Sequence, residues 1–296
     1  TTRTVGVNRN YMRSTSYGMF FNDDFKVSRN LTLNLGVLYE LNLPPHDRYD
    51  RWMNFVPEFG KVVIADDRTI PDLPGLLRWA GMEGNVLLAE EVGYPRSLVY
   101  ADYTNIAPRL GIAWRPFGSN RTVIRTGYGI FYAGEIQNPV RNDLANNFPF
   151  AIRQNFQRQS SKPLALTLDN PFPEERMQLQ GVTNAAGHDP HASTGYLQVW
   201  NLTLERELFD ATSLTLSYVG SKGTHLGRRY DINQPFRTRE LYEAGLGFPR
   251  PYPYFNTINY YDWNSNSIYN SLEVSLRRRA RRGLFFRVGY IYSKSI

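Results

Sequence analysis

"KVSRNLTLNLGVLYELN" spans Lys26 to Asn42. From Leu31 onward, Leu31, Leu33, Leu35, Val37 and Tyr39 are apolar, and Thr32, Asn34, Gly36, Leu38 and Glu40 fall between them. A mostly apolar set alternating with a mostly polar or small set is the pattern of a strand with one greasy and one wet face. The fold turns on what the greasy face touches, a protein core or lipid.

The same alternation recurs in pairs of segments: Tyr17 to Val27 with Leu31 to Glu40, Asn105 to Phe117 with Thr122 to Ala133, Tyr196 to Arg206 with Thr212 to Gly220, and Tyr269 to Arg278 with Leu284 to Ser293. Short polar stretches join the members of each pair, so each reads as a β-hairpin with a tight turn. About eight strands in four hairpins result. Connections of about 64, 62 and 48 residues separate the hairpins. Structureless loops of that length are uncommon in a compact soluble domain. Short turns alternating with long loops are the habit of outer-membrane barrels, whose turns face the periplasm and whose long loops face outward.

Composition bounds the alternatives. The chain has 296 residues and 42% hydrophobic content, so a core is possible. No run of about 18 apolar residues exists, which rules out a transmembrane helix, but strands of about 9–11 residues suffice to cross a bilayer when tilted. Aromatics reach 14%, mostly Tyr and Phe, a composition suited to strands and interfaces. There are no cysteines, so disulfides and thiol chemistry are absent. The net charge of +7 fits nucleic acid, an anionic membrane surface or a plain basic surface. The opening residues "TTRTVGVNRN" lack the apolar stretch of a signal peptide, and the sequence reads as a fragment or a processed product.

Two observations separate lipid from core. The wet faces carry glycines and arginines, among them Gly36, Arg109, Gly111, Arg115, Arg125, Gly127, Gly129 and Arg287, which suits a hydrated lumen. Tyr and Trp sit near strand ends, as at Trp114, Tyr132, Tyr196 and Tyr292, where aromatic girdles meet lipid headgroups. The expected fold is therefore all-β: an antiparallel transmembrane β-barrel portion with long extracellular loops. Eight strands closed on themselves would force Arg109, Arg115, Arg125 and Arg287 into a narrow interior, where unpaired charge is costly. An arc of a larger barrel is expected instead, with Tyr17–Val27 and Leu284–Ser293 as edges that do not pair with each other.

Four stretches carry a family resemblance: "YGMFFNDDFKVSRNLTLNLGVLYE", "NIAPRLGIAWRPFGSNRTVIRTGYGIFY", "YLQVWNLTLERELFDATSLTLSYVGSKGTHL" and "YNSLEVSLRRRARRGLFFRVGYIYSKSI". Together they resemble hairpins of TonB-dependent outer-membrane receptors, in particular the Oar-like group with a carboxypeptidase-regulatory-like domain ahead of the plug. The resemblance implies a Gram-negative outer membrane, a many-stranded barrel around a plug, and uptake of a bulky substrate energised through the TonB complex. Residues 1–296 then form part of one barrel domain, without the plug, the N-terminal regulatory domain or the TonB box. The expected partners are outer-membrane lipid, the rest of the barrel and plug, the TonB complex through the missing parts, and other surface proteins. Two rivals stand beside uptake: a secreted β-sandwich binding module, and a non-transporting barrel subunit that serves as scaffold.

The candidate lumen-facing polar residues are Asn34, Arg109, Arg115, Arg125, Glu205, Glu273 and Arg287. A second candidate set lies in the aromatic-rich stretch Phe248 to Tyr269, read as a loop whose Tyr254, Tyr260, Tyr261 and Trp263 contact a ligand or partner. His188, Asp189 and His191 in "GHDPHAS" have metal-ligand character, but Pro190 extends the stretch and no fourth ligand is evident, so they read as a solvated loop. Asp66 with Asp67 likewise reads as solvated. The run Arg277, Arg278, Arg279, Arg281 and Arg282 occupies a turn, and leaves open a solvated basic turn or contact with inner-leaflet phosphates. It lacks the stacking aromatics of a nucleic-acid surface. No nucleophile–base constellation appears, so no enzyme, cofactor or metal is expected.

Overall fold

The computed structural model describes residues 2–6, 10–119, 121–133, 143–145, 147–155, 183–209, 211–281 and 283–296. In chain order the strands are β1 (Thr2–Gly6), β2 (Met12–Ser28), β3 (Leu31–Asp47), β4 (Met53–Val56), β5 (Lys61–Ile64), β6 (Val86–Leu88), β7 (Ile106–Trp114), β8 (Thr122–Tyr132), β9 (Ala151–Asn155), β10 (Thr183–His188), β11 (Tyr196–Phe209), β12 (Thr212–Asp231), β13 (Phe255–Arg281) and β14 (Leu284–Ser295). Helix α1 (Leu73–Ala80) lies between β5 and β6, and α2 (Arg239–Glu243) between β12 and β13.

Nine of these strands form one continuous sheet, eight of them in the order β14-β13-β12-β11-β8-β7-β3-β2 with β10 added against β13. Every neighbouring pair along that path is antiparallel. They are the eight strands expected from the alternation, in the expected hairpins. Among the described residues β2 and β14 do not pair with each other, so the sheet is an open arc. A single continuous sheet also sets aside the two packed layers of a β-sandwich.

Register puts the alternation on common faces. Leu33 lies opposite Phe25 and Ile112, and Leu35 opposite Leu110. Leu110 in turn faces Tyr128, which faces Trp200. Further along, Leu216 sits between Leu204 and Val274, and Val274 faces Tyr290. The greasy sets of all eight strands thus form one apolar surface, much of it exposed: Phe21, Leu35, Leu110, Leu272 and Tyr290 all stand open to the surroundings.

Six of the eight strands run past the boundaries expected from the pattern, while β7 and β8 stop slightly short of theirs. β12 continues to Asp231 and β13 begins at Phe255, so this hairpin stands well beyond its neighbours. The stretch read as an aromatic loop is therefore mostly strand: Tyr260, Tyr261 and Trp263 belong to β13, and only Tyr254 precedes it. Pro251 and Pro253 mimic a loop because they stand just before the strand starts. Midway, the β12–β13 ladder slips between Gly223 and Leu226 and again between Leu226 and Arg228. His225 there has φ 54°.

The long connections build a canopy. β4, β5 and β6 form a small sheet, antiparallel between β4 and β5 and parallel between β5 and β6. β10 pairs in parallel with the start of β13, joining that connection to the wall. α1 is opened by Asp72, whose side chain accepts from the Gly75 amide at 2.8 Å, and is closed by Gly81 at φ 65°. The buried apolar side chains lie almost entirely here. One cluster joins Met53, Phe55, Val62, Ile64, Met82, Phe148, Phe150, Phe255 and Ile258, and a second joins Trp52, Val56, Val63, Leu98 and Leu144. Phe55 meets Tyr252 and Phe255 edge-on at 5.0 and 5.1 Å.

Candidate functional site

Two surfaces can meet a solute: the polar face of the wall and the cleft where the canopy joins it. On the polar face Asn34 lies opposite Gly111 and Asp24, Arg109 opposite Gly36 and Gly129, Arg125 opposite Ala113 and Thr203, and Glu273 opposite Ser217 and Ile291. Glu205 sits one step from Thr203 on the same face, and its carboxylate accepts from Arg125 Nη1 at 2.8 Å. The Asn34 amide donates to Asp24.

Two of the glycines on this face flank Arg109. Its guanidinium lies over the Phe131 ring at 4.8 Å. A Cβ at Gly36 would meet the Asn22 amide at 2.5 Å and Arg109 at 3.5 Å, and one at Gly129 would crowd Phe131 at 3.1 Å. Glycine thus leaves room for the Asn22 amide at Gly36 and for the Phe131 ring, on which Arg109 stacks, at Gly129.

Arg287 faces Arg277 directly across the β13–β14 ladder. Both are exposed, and neither has a carboxylate partner among the described residues. Like charges so placed repel unless water or an outside anion separates them. Arg115 departs from the expected set. It follows the last residue of β7, and its guanidinium donates to the Arg29 carbonyl in the neighbouring turn. It ties two turns together rather than lining a strand face.

The cleft at the canopy joint is lined by Asn42 and Pro44 of β3, by Val99, Tyr100 and Asp102, by Thr194, and by His188 and Trp263. Asp102 organises it. Its carboxylate accepts from the Thr104 amide at 2.9 Å, the Thr104 hydroxyl at 2.6 Å and the Thr194 amide at 2.8 Å. Burial pushes the Asp102 pKa up, but these hydrogen bonds more than offset it and hold the carboxyl below its ordinary range.

Of the two histidines, His188 departs from the solvated-loop reading, while His191 is exposed in a turn. His188 is buried, stacks on Tyr261 at 4.9 Å, and exchanges backbone hydrogen bonds with the Asn54 side chain at 2.7 and 2.9 Å. Its Nε2 lies 3.7 Å from Asp143, which also takes a 3.0 Å hydrogen bond from Arg229. His191 instead stacks on Tyr100 at 4.6 Å. The imidazoles are thus engaged by different aromatic rings, and no metal-holding cluster occurs among the described residues. Asp66 is also partnered rather than merely solvated: it binds Arg68, and that hydrogen bond holds its carboxyl below the usual range.

Of the aromatic set, Tyr254 is exposed, whereas Tyr260 is buried and serves the packing of the hairpin. Tyr261 and Trp263 share a face of β13, with ring centroids 6.5 Å apart, and Trp263 reaches the cleft. The sequence reading missed Asp102, Tyr100 and Thr194. The Asp102–Thr104 spacing was the available signal, since Asx turns of this kind fix loop backbone.

An open antiparallel arc with a continuous apolar face, a polar face and short turns at one end is a portion of a transmembrane β-barrel. The sequence matches the outer membrane beta barrel domain family along residues 1–296, and the chain belongs to that family. Its place is the outer membrane of a Gram-negative cell. No curated protein matches it. Among solved structures it is similar to the outer membrane transporter YddB from Escherichia coli, with a TM-score of 0.50 at 14% identity, over 95% of this chain and 25% of that one. The siderophore receptor PirA from Pseudomonas aeruginosa follows at TM-score 0.44 and 10% identity, over 95% of this chain and 34% of that one. The FrpB iron transporter from Neisseria meningitidis is matched at TM-score 0.40 and 10% identity, over 96% of this chain and 36% of that one. The chain thus spans about a quarter of the length of YddB.

Proposed function

We propose that residues 1–296 form part of one barrel domain of an Oar-like TonB-dependent receptor, and that this portion lines the route by which a bulky substrate is taken up. The apolar face touches lipid. Asn34, Arg109, Arg125, Glu205, Glu273 and Arg287 face a hydrated lumen, where a plug from elsewhere in the protein sits. Tyr254, Tyr261 and Trp263 stand where the wall meets the canopy and meet the substrate or a surface partner first.

The observation that carries this reading is the polar face itself. It bears Arg109, Arg125, Arg277 and Arg287, and of these four only Arg125 finds a carboxylate partner among the described residues. Charges left so open do not suit a packed interior, but they suit a wide aqueous lumen. The test uses the full-length protein and the purified periplasmic domain of TonB. Capture of the receptor by that domain, lost when the N-terminal box is deleted, supports energised uptake. Absence of any capture favours the scaffold reading, which the self-packed canopy also supports.

A further inference from the structure

We propose that the turn end of the apolar face binds the phosphate of an anionic glycerophospholipid in the periplasmic leaflet, through Arg206 and Arg278. The inference rests on the barrel fold and not on the uptake reading. Arg206 lies opposite Thr122 and Leu214, and Arg278 opposite Thr212 and Phe286. Directly opposed residues share a face, and here it is the face of Leu214 and Leu276. Arg206 donates to the Thr122 hydroxyl at 3.1 Å, which fixes it on that side. The slip between Glu207 and Phe209 turns Phe209 toward Thr212 as well.

The two arginines flank β12, one on each side and one pleat apart. Strand spacing and rise place their Cα atoms about 12 Å from each other, within the combined reach of two extended guanidinium groups converging on one headgroup. Arg228 and Arg229 each find a carboxylate, at 2.8 and 3.0 Å. Arg206 and Arg278 find none among the described residues, and Arg206 is exposed. Their charges are left for an anion from outside the chain to meet.

Position supplies the partner. These residues lie at the short-turn end, which faces the periplasm in barrels of this kind, and arginine on a lipid-facing surface is costly at midplane but not near the interface. Phe209 and Phe286 add aromatic neighbours on that face, as the girdles of membrane barrels do near the interface. A guanidinium fork matches phosphate oxygens in a bidentate manner. The charge complement is an anionic headgroup, and the leaflet on that side is phospholipid.

The experiment compares full-length proteins folded in detergent and loaded from mixed micelles of phosphatidylethanolamine and phosphatidylglycerol. Retained lipids are counted by native mass spectrometry. The wild type should retain phosphatidylglycerol preferentially. Arg206→Gln combined with Arg278→Gln should lower that preference by about fivefold for each arginine removed. Arg237→Gln combined with Arg239→Gln, the same charge loss in the canopy, should leave it unchanged. Heat-modifiable migration in SDS checks that every variant folds. Equal losses in the two double variants would overturn the proposal. So would displacement of the lipid by millimolar inorganic phosphate, or preferential retention of added lipopolysaccharide, because either identifies a different anion source.

Discussion

The wall and the canopy solve the burial problem in opposite ways. In the wall, side chains such as Phe21, Leu272 and Tyr290 are more exposed than hydrophobic residues of a globular protein's core. The strands are held to one another by their ladders, and their apolar face is completed by lipid tails rather than by protein. In the canopy, Trp52, Met53, Phe55 and Ile64 are fully buried against residues from other connections. The loops thus have a packed interior of their own. Stability here therefore resides in two media, lipid for the wall and protein for the canopy, and each can be attacked separately.

The largest effect should come from Phe55→Ala. Loss of a fully buried phenyl ring that meets Tyr252 and Phe255 should cost the canopy about 3–5 kcal/mol. Limited proteolysis should then cut the canopy while heat-modifiable migration of the barrel in SDS is preserved. Loss of both would show that the two regions are one cooperative unit.

Next in size, Leu33→Arg or Leu216→Arg should destabilise the wall by about 2–4 kcal/mol where the residue lies near the bilayer midplane. Asn34→Arg, beside Asp24, should cost far less. Urea titration of the protein folded into vesicles measures both, and similar costs on the two faces would mean that the faces are wrongly assigned.

A smaller loss is expected from Asn233→Ala. This fully buried amide donates to the carbonyls of Tyr252, Phe255 and Asn256 at 3.0, 2.8 and 3.0 Å and accepts from the Tyr252 amide at 2.8 Å. Removing it strands those backbone groups, at about 1–3 kcal/mol. Faster hydrogen exchange at Tyr252, with Val199 in the wall unaffected, is the expected signature.

The smallest effect concerns acid. The Asp102 carboxyl has a folded-state pKa below its unfolded value, so it adds stability above the unfolded value of about 3.9. That contribution fades as pH falls through the folded value. The Thr194 amide, which donates to Asp102, should lose protection in that acidic window, after correction for intrinsic exchange. Asp102→Asn should flatten the dependence. An unchanged profile in the variant would assign the acid sensitivity elsewhere.

The wall was legible because lipid on one side and water on the other write a repeat of two into every strand. Leu31 to Tyr39 shows it without any knowledge of neighbours. The canopy was not, because its core is assembled from pieces of three or four residues that meet across long separations, as Asn54 and His188 do across 134 residues. "KVVI" after Gly60, which has φ 63°, was the one short-range sign of a hairpin there. The upper part of β13 failed for a related reason. Above the membrane its faces no longer meet two different media, so Asn259, Tyr260, Tyr261 and Asp262 show no alternation. Of the polar-face set, the residues were visible singly, but the Arg125–Glu205 bridge appears only once β8 and β11 are in register.

The two slips in the β12–β13 ladder cancel. Thr212 faces Arg278 below them, and Asp231 faces Asn259 above them, so both strands advance by the same number of residues between those points. The first slip acts like a frameshift and the second like its suppressor. A single-residue deletion at Thr224 or His225 should leave the lower ladder readable while turning every upper side chain, Arg228 and Tyr230 included, toward the wrong side. A compensating deletion on β13 should restore the reading. Insertions confined between the two slips can therefore be tolerated only in matched pairs, which makes this short segment a grammatical joint: the upper part of the hairpin can be rewritten without altering the sense of the lower.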